Sequence, residues 1–341
     1  MTTPWHDHPL ARELDVALAA VREAGLLCRE VQAAIDPGAM QTKDKSPVTV
    51  ADYGSQALVC RALAAAFPAD PVIGEEDSAE LRAAANAPLL AQVVERVRER
   101  AAGAGVDDIC AWIDRGNAHE HSPRFWTLDP IDGTKGFLRG GQYAVSLAWI
   151  ENGAAVMGFL GCPNMSKDFN RPFDDPDPHG VVYFAGAGEG LYETASDDPR
   201  ESPLHLRRLQ REPDEPLRLC ESVDGSHTSH DAAGRIMERL GDMAEPSRLD
   251  GQGKYAVVAR GQADVYMRLP KKSGYIERIW DHAAGAVIAM EAGLSVTDVD
   301  GEPLDFGCGR GMDKNRGIVV AEPALHGRLM RIIQELSLFD A

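Results

Sequence analysis

Apolar residues recur at helical spacing near the start of the chain. Leu10, Leu14, Ala17, Val21, Ala24, Cys28 and Val31 form one stripe, and Pro37-Gly38 follows it. The stripe predicts an amphipathic helix over residues 10–35. A second helix is expected over 53–67, opening just after Asp52, and a third over the Ala-rich stretch 81–100. Between them, Pro71-Val72-Ile73-Gly74 is a short apolar approach to Glu75-Glu76-Asp77. From Cys110 the period changes. Phe125-Trp126-Thr127-Leu128 reads as a strand running into Asp129. The stretches 143–150 and 154–160 flank Glu151-Asn152-Gly153, a strong hairpin signal. A further hairpin is expected from 181–185 and 190–192.

Residues 196–216 are charged and include Pro199, Pro203, Pro213 and Pro216. A linker is placed there, dividing the chain into 1–205 and 206–341. In the second part, 217–221 reads as a short strand and 229–240 as a helix capped by Thr228 or Ser229. Paired strands are expected at 255–259 and 263–268, turning at Arg260-Gly261-Gln262. A helix at 281–292, a strand at 318–321 and a terminal helix opening at Pro323 complete the pattern. Helices mixed with hairpin strands imply a layered α/β (α+β) architecture in two domains, not a repeated βαβ array.

Composition narrows the function. The 341 residues are 44% hydrophobic and 26% charged, as in globular proteins. The formal net charge of −18 repels phosphate backbones and anionic lipid, so nucleic-acid polymers and membranes are disfavoured partners. A small anion is not excluded, because a local basic group or a metal overrides the global field. The six cysteines form no C-x-x-C pair, which excludes a disulfide scaffold and a Cys-rich zinc site and suits a reducing compartment. Residues 1–15 lack the apolar core of a secretory signal, and no run approaches the roughly 20 apolar residues of a membrane span. A cytoplasmic location is expected.

Four separated segments set carboxylates beside a structural break. They are Val50-Ala51-Asp52-Tyr53, Gly74-Glu75-Glu76-Asp77, Asp129-Pro130-Ile131-Asp132-Gly133-Thr134 and Ile279-Trp280-Asp281-His282. Taken singly, each is also compatible with solvated turn carboxylates, and Asp281 with a helix cap. In the third, Pro130 fixes one φ and Gly133 permits a sharp turn, so Asp129 and Asp132 can face one point with the Ile131 carbonyl between them. Converging carboxylates raise one another's pKa unless a cation intervenes, and Mg²⁺ is the ordinary choice for oxygen ligands.

Gly74-Glu75-Glu76, Asp129 to Thr134 and Trp280-Asp281-His282-Ala283-Ala284-Gly285 together resemble the signature of the inositol monophosphatase superfamily, whose members are Mg²⁺-dependent, lithium-sensitive phosphatases. The resemblance spans residues 10–325. Within the superfamily, Lys45 to Tyr53, Gly225 to Asp231, Lys254-Tyr255, Ala263 to Pro270 and Pro303 to Gly307 most resemble the 3'(2'),5'-bisphosphate nucleotidases. That implies hydrolysis of the 3'-phosphate of adenosine 3',5'-bisphosphate, with its sulfated relative as a further substrate. It implies two α/β domains of alternating helical and sheet layers. Glu75, Asp129, the Ile131 carbonyl, Asp132 and Asp281 would hold two or three Mg²⁺ ions. Asp52 and Thr134 would act on the attacking water. Gly133, Ser226, His227, His230, Lys254 and Arg268 would meet a small anionic nucleotide. Apart from the resemblance, His230 also reads as a capping histidine, and Lys254 and Arg268 as strand-edge charges.

One position departs from the family pattern. Gly251, in Asp250-Gly251-Gln252-Gly253-Lys254, stands where serine is usual, and a lost hydrogen bond there would cost about 1 kcal/mol. Other readings are an inositol-phosphate or sugar-bisphosphate phosphatase with the same metal chemistry, and a non-catalytic metal- or nucleotide-binding module. The glycines of 184–190 give G-x-G-x-G, not the dinucleotide fingerprint, and suit a hairpin turn. A monomer and a homodimer are both compatible with the sequence.

Overall fold

The stripe of the first helix is buried in α1 (Ala11–Ala33), with Leu14, Ala17, Val21, Ala24, Cys28 and Val31 facing the interior. In the computed structural model, which describes residues 5, 8–35, 46–119, 122–223, 229–241, 244–270 and 275–339, α1 packs along α2 (Ser46–Ala66). The chain continues through β1 (Val72–Gly74), α3 (Ser78–Leu81), α4 (Ala87–Arg98) and α5 (Val106–Asp114). Then come β2 (Arg124–Asp132), α6 (Thr134–Leu138), β3 (Ala144–Glu151), β4 (Ala154–Cys162), β5 (Val181–Gly186), β6 (Gly190–Ala195) and β7 (Leu204–His205). Strands β1 to β7 lie in that order in one seven-stranded sheet. The β1–β2 pair is parallel and the later pairs are antiparallel.

The second sheet is built from β8 (Leu219–Glu221), β9 (Ser247–Arg248), β10 (Val265–Arg268), β11 (Ser295–Thr297) and β12 (Ile318–Ala321), in the order β11-β12-β10-β8-β9. Its helices are α7 (His230–Leu240), α8 (Gly253–Ala259), α9 (Ala283–Glu291) and α10 (Pro323–Glu335).

Strand alternation sorts side chains into three cores. On β3, Val145, Leu147 and Trp149 face the α1–α2 layer, whereas Ala144, Ala148 and Ile150 face α8 and α9. On β12, Ile318 and Val320 face that middle core, and Val319 and Ala321 face α7 and α10. The result is five layers, helix–sheet–helix–sheet–helix. Both sheets are covered on both faces, so the central strands β3, β4, β5 and β12 read as largely apolar runs.

Several sequence expectations are corrected. Residues 255–259 are not a strand but most of α8, and all seven α8 residues are buried. A short apolar run buried on every side carries no period, so strand and helix cannot be told apart from sequence. Strand β10 pairs with β12 and β8 instead. Helix α2 begins at Ser46, so Asp52 lies inside it; Pro47 is tolerated in a first turn, where its missing N–H has no partner to lose. The expected helix at 81–100 is divided among α3, a 3₁₀ turn at Ala84–Asn86 and α4. Asp281 closes a 3₁₀ turn at Ile279–Asp281, and His282 is the residue that precedes α9. The Asn152-Gly153 hairpin has both residues at positive φ, 51° and 83°, as a two-residue turn requires. All six cysteines are free, and five are buried. Among the described residues, no helix is long and apolar enough to cross a membrane.

Candidate metal centre and active site

The parallel register of β1 on β2 sets Gly74 opposite Leu128, so Glu75 emerges beside Asp129. Pro130 cannot donate to the ladder, and the β2–β3 register shifts between Asp129 and Asp132. The bulge is held from both sides. The Ile131 N–H donates to Asp129 Oδ1 at 3.0 Å, and the Ser55 hydroxyl of α2 donates to the Pro130 carbonyl at 3.0 Å. Gly133, at φ 98°, then turns the chain into α6. From the other side of the cleft, the 3₁₀ turn brings Asp281 against β2. A cleft of about 660 Å³ results, lined by Glu75, Asp129, Ile131, Asp132, Thr134 and Asp281 among others. A depression of about 670 Å³ along α4 is mainly apolar, rimmed by Glu95, Arg98 and Glu99, and holds none of these groups, so chemistry and not size marks the site.

The carboxylates are costly where they stand. Burial, then Glu75, Asp132, Asp281 and Asp52, push Asp129 well above the usual carboxylate range. Burial and Asp132 raise Glu75, although Asp129 hydrogen-bonds to it. Asp281 is raised to about 8, mainly by burial and against the pull of Arg268. Asp52, buried in α2, is raised by burial, Glu76 and Glu75, and its Oδ1 has no hydrogen-bond partner. Crowded carboxylates that oppose one another, with Asp129 and Asp52 buried and Glu75 open to the cleft, and a buried carboxylate oxygen without a donor suit a hard divalent cation, and the donor set is all oxygen. Glu277, Asp281 and His282 also place ligand atoms within 4.8 Å of one another and are able to coordinate a metal ion. In that group, Arg268 already bonds Glu277 at 2.5 Å.

The raised groups set a pH dependence. A carboxyl whose folded pKa lies above its unfolded value binds more protons when folded, so stability rises as pH falls. With Asp281 at about 8 and Glu76 at about 7, the EDTA-treated protein gains thermal stability between pH 9 and pH 7; below that, His282 and His326, whose pKa values burial lowers, oppose the gain. Glu277 acts oppositely. Burial alone would raise it, but His282 and Arg268 bring it to about 2, so its stabilisation is complete above its ordinary value and is lost only toward pH 2. With saturating Mg²⁺ the slope from pH 9 to pH 7 reverses, because protons displace the cation. Differential scanning fluorimetry with and without EDTA measures both slopes, and parallel slopes would contradict the metal centre.

A model of the inositol monophosphatase family matches residues 10–338. The chain belongs to that family. A 3'(2'),5'-bisphosphate nucleotidase of Schizosaccharomyces pombe is 40% identical over 327 residues, covering 91% of each chain. One from Arabidopsis thaliana is 40% identical over 341 residues, covering 95% of this chain and 96% of its own. Among solved structures, the fold is shared with CysQ from Bacteroides thetaiotaomicron, a bacterial member of the family. The TM-score is 0.59 and the identity 21%, over 92% of this chain and 98% of that one. Mycobacterium tuberculosis SuhB gives a TM-score of 0.60 at 23% identity, over 96% and 98%.

The residues that resemble the family's nucleotide contacts are placed differently from one another. Lys254 is buried on α8; its Nζ donates to the Gly251 carbonyl at 2.6 Å and lies 5.7 Å from the Tyr266 ring centre. Burial lowers its pKa. Arg268 ends β10, mostly buried, with its Nη2 2.5 Å from Glu277 and 3.5 Å from Asp281. Both cations therefore line the cleft while serving internal partners. His230 is the first residue of α7, after Ser229, whose hydroxyl caps the helix by accepting from the Ala232 N–H. Ser226 and His227 lie outside the described residues.

Removing the Arg268 guanidinium would leave buried Glu277 and half-buried Asp281 without their cation, and breaking a buried pair in this way typically costs about 3–5 kcal/mol. Arg268→Ala is therefore expected to lower the melting temperature and to slow nucleotide and inositol-phosphate hydrolysis alike. A loss confined to the nucleotide, at unchanged stability, would instead mark Arg268 as a direct ligand.

Sequence reasoning missed three residues that hold the site together. The Gln252 amide donates to the Trp280 carbonyl at 2.7 Å and accepts from the Gly285 N–H at 3.0 Å, tying the Asp250-Gly251 loop to the Asp281 turn. Glu277 pairs with Arg268 and His282. Arg310 reaches the Glu75 strand end. Glu277 stands four residues before Asp281, within reach of a closer reading of that motif. Arg310, between two glycines, offered no local signal.

Proposed function

We propose that the protein hydrolyses the 3'-phosphate of adenosine 3',5'-bisphosphate to AMP and phosphate. The observation that carries this reading is the cleft in which Glu75, Asp129, Asp132 and Asp281 oppose one another, in a chain 40% identical over nearly full length to a bisphosphate nucleotidase. Glu75, Asp129, the Ile131 carbonyl, Asp132 and Asp281 would hold two or three Mg²⁺ ions. Bound cations supply Lewis acidity for the attacking water, the phosphoryl oxygens and the leaving group.

The chain's own residues do the rest. Asp52, with its unpartnered buried oxygen, accepts a proton from the attacking water. Thr134, exposed where α6 opens, would pair with Asp52 to orient that water. The water oxygen bonds to phosphorus, the P–O3' bond breaks, and the ribose oxygen leaves with the bond pair and takes up a proton. His230, with Ser226 and His227 of the preceding segment, would face the nucleotide. Lys254 and Arg268 would add positive field at the cleft, and the Gly133 backbone would border the phosphate. The sulfated relative is a further substrate in this proposal. Division into units 1–205 and 206–341 also belongs to it, supported by the end of one sheet at His205 and the start of the other at Leu219. So does a cytoplasmic location, with the small nucleotide as partner.

The test is steady-state phosphate release from adenosine 3',5'-bisphosphate and from inositol 1-phosphate, with Mg²⁺ and with EDTA. A kcat/KM preference of ~100-fold for the nucleotide, about 2.7 kcal/mol, is expected. Preference for the inositol ester would overturn the nucleotide assignment and leave the metal chemistry standing. Release that survives EDTA would overturn both.

A further inference from the structure

We infer that Arg310 is a positioning residue that sets Glu75 and Asp281 against each other across the cleft. The inference rests on the reading of those two carboxylates as metal ligands. They reach the cleft from opposite sides: Glu75 follows a strand of the first sheet, and Asp281 ends a turn before α9. A cation shared between such elements needs their separation held.

Arg310 does this through backbone and side chain together. Its carbonyl accepts from the Ile279 N–H at 3.3 Å, Gly311 bridges to Arg278, and the Met312 N–H donates to the Glu277 carbonyl at 2.9 Å. The stretch therefore lies alongside the residues that turn into Asp281. The guanidinium crosses to the other side. Nη2 donates to the Gly74 carbonyl at 2.7 Å and reaches the Glu75 carbonyl at 3.4 Å. The same planar group stacks on Trp280, 4.7 Å from its ring centre. One side chain thus touches the residue before Glu75, Glu75 itself and the residue before Asp281. Gly74 is fixed from behind as well, its N–H donating to the Gly116 carbonyl at 2.8 Å.

A rigid fork suits this task and a lysine does not. Arginine keeps a plane for stacking and an N–H edge for two carbonyls at once, whereas an ammonium offers a point charge on a flexible stem. Charge beside Glu75 is common to both, so a lysine variant separates geometry from electrostatics.

The experiment is isothermal titration of Mg²⁺ into the EDTA-stripped, dialysed full chain, for wild type, Arg310→Gln, Arg310→Lys and Asp132→Asn. Partners that orient metal ligands are typically worth 10- to 100-fold in metal affinity. Arg310→Gln is expected to bind Mg²⁺ about 10-fold more weakly, and Arg310→Lys to recover less than half of that loss on a logarithmic scale. The KM for the nucleotide at saturating Mg²⁺ stays within about twofold, since Arg310 acts through the ligands. Wild-type affinity in Arg310→Gln, or full recovery in Arg310→Lys, would overturn the inference. Wild type no tighter than Asp132→Asn would instead overturn the metal-centre reading on which it rests. Arg310→Lys keeps the charge and nearly the volume, so it remains decisive if the glutamine variant fails to fold.

Discussion

Asp132→Asn is expected to lower turnover by at least ~100-fold at saturating Mg²⁺. Asp132 borders the cleft where the bulged strand ends, and its charge bears on Glu75, Asp129 and Asp281. In the proposed metal centre, removing that charge would take a charged ligand from the cations, and it takes repulsion from the apoprotein. The variant should therefore melt higher than wild type in EDTA at pH 8 and gain little on addition of Mg²⁺. Loss of activity with that crossed stability pattern identifies a metal ligand, because damage to the fold would lower stability in both buffers. Unchanged turnover would defeat the assignment.

Gly251→Ser is the second change with a large expected effect. Read from the sequence, Gly251 was a missing hydroxyl. The structure gives it a different role. Its φ is +70°, and a Cβ there would lie 2.3 Å from the Asp132 carbonyl oxygen. Gly133 meets the same contact from the other side, its own Cβ position 2.9 Å from the Gly251 nitrogen. Two glycines let the backbone of the 250–251 loop rest on the backbone of the Asp132-Gly133 turn. Lys254 holds the loop from beneath through the Gly251 carbonyl, and Asp250 is paired with Arg139 beyond α6. A serine must push the loop away from Asp132 and hold a left-handed conformation, which costs about 1–2 kcal/mol before any displacement is counted. Misplacement of catalytic groups by about 1 Å can cost 100-fold. The expected result is a lower melting temperature and a kcat/KM reduced about 10- to 100-fold for both nucleotide and inositol phosphate. An increase in nucleotide affinity would show instead that the hydroxyl is what this site lacks.

The parts of the site that were legible are those governed by local chemistry. Asp129-Pro130-Ile131-Asp132-Gly133 announces a strand that loses its register and turns, because proline removes a ladder donor and glycine admits φ 98°. The hairpin at Asn152-Gly153 and the proline-opened α10 follow the same logic. Less was legible where burial overrides pattern. The apolar run that became α8 looked like a strand, and its lysine looked like a surface charge. Both errors have one cause: α8 is enclosed between two sheets, so no polar face records its period. Asp52 looked like a helix opener because its α2 begins at Ser46-Pro47, a start that the charged segment before it concealed.

By itself, the sequence determined which local shapes were available: a stripe for α1, unbroken apolar runs for the central strands, a sharp acidic turn at the end of β2. It also determined the kind of chemistry, since three acidic motifs in order are compatible with few tasks. Only the tertiary structure decided that Glu75, Asp129 and Asp281 meet, that Arg268 is spent on Glu277 and Asp281, and that Arg310 spans both sides of the cleft. The reason is physical. Propensity and turn geometry act within a few residues, whereas the Arg310 bond to Gly74 joins groups 236 positions apart. Desolvation belongs to the packed layers and to no single segment, and it is what raises ordinary carboxylates such as Asp129 far above their usual range.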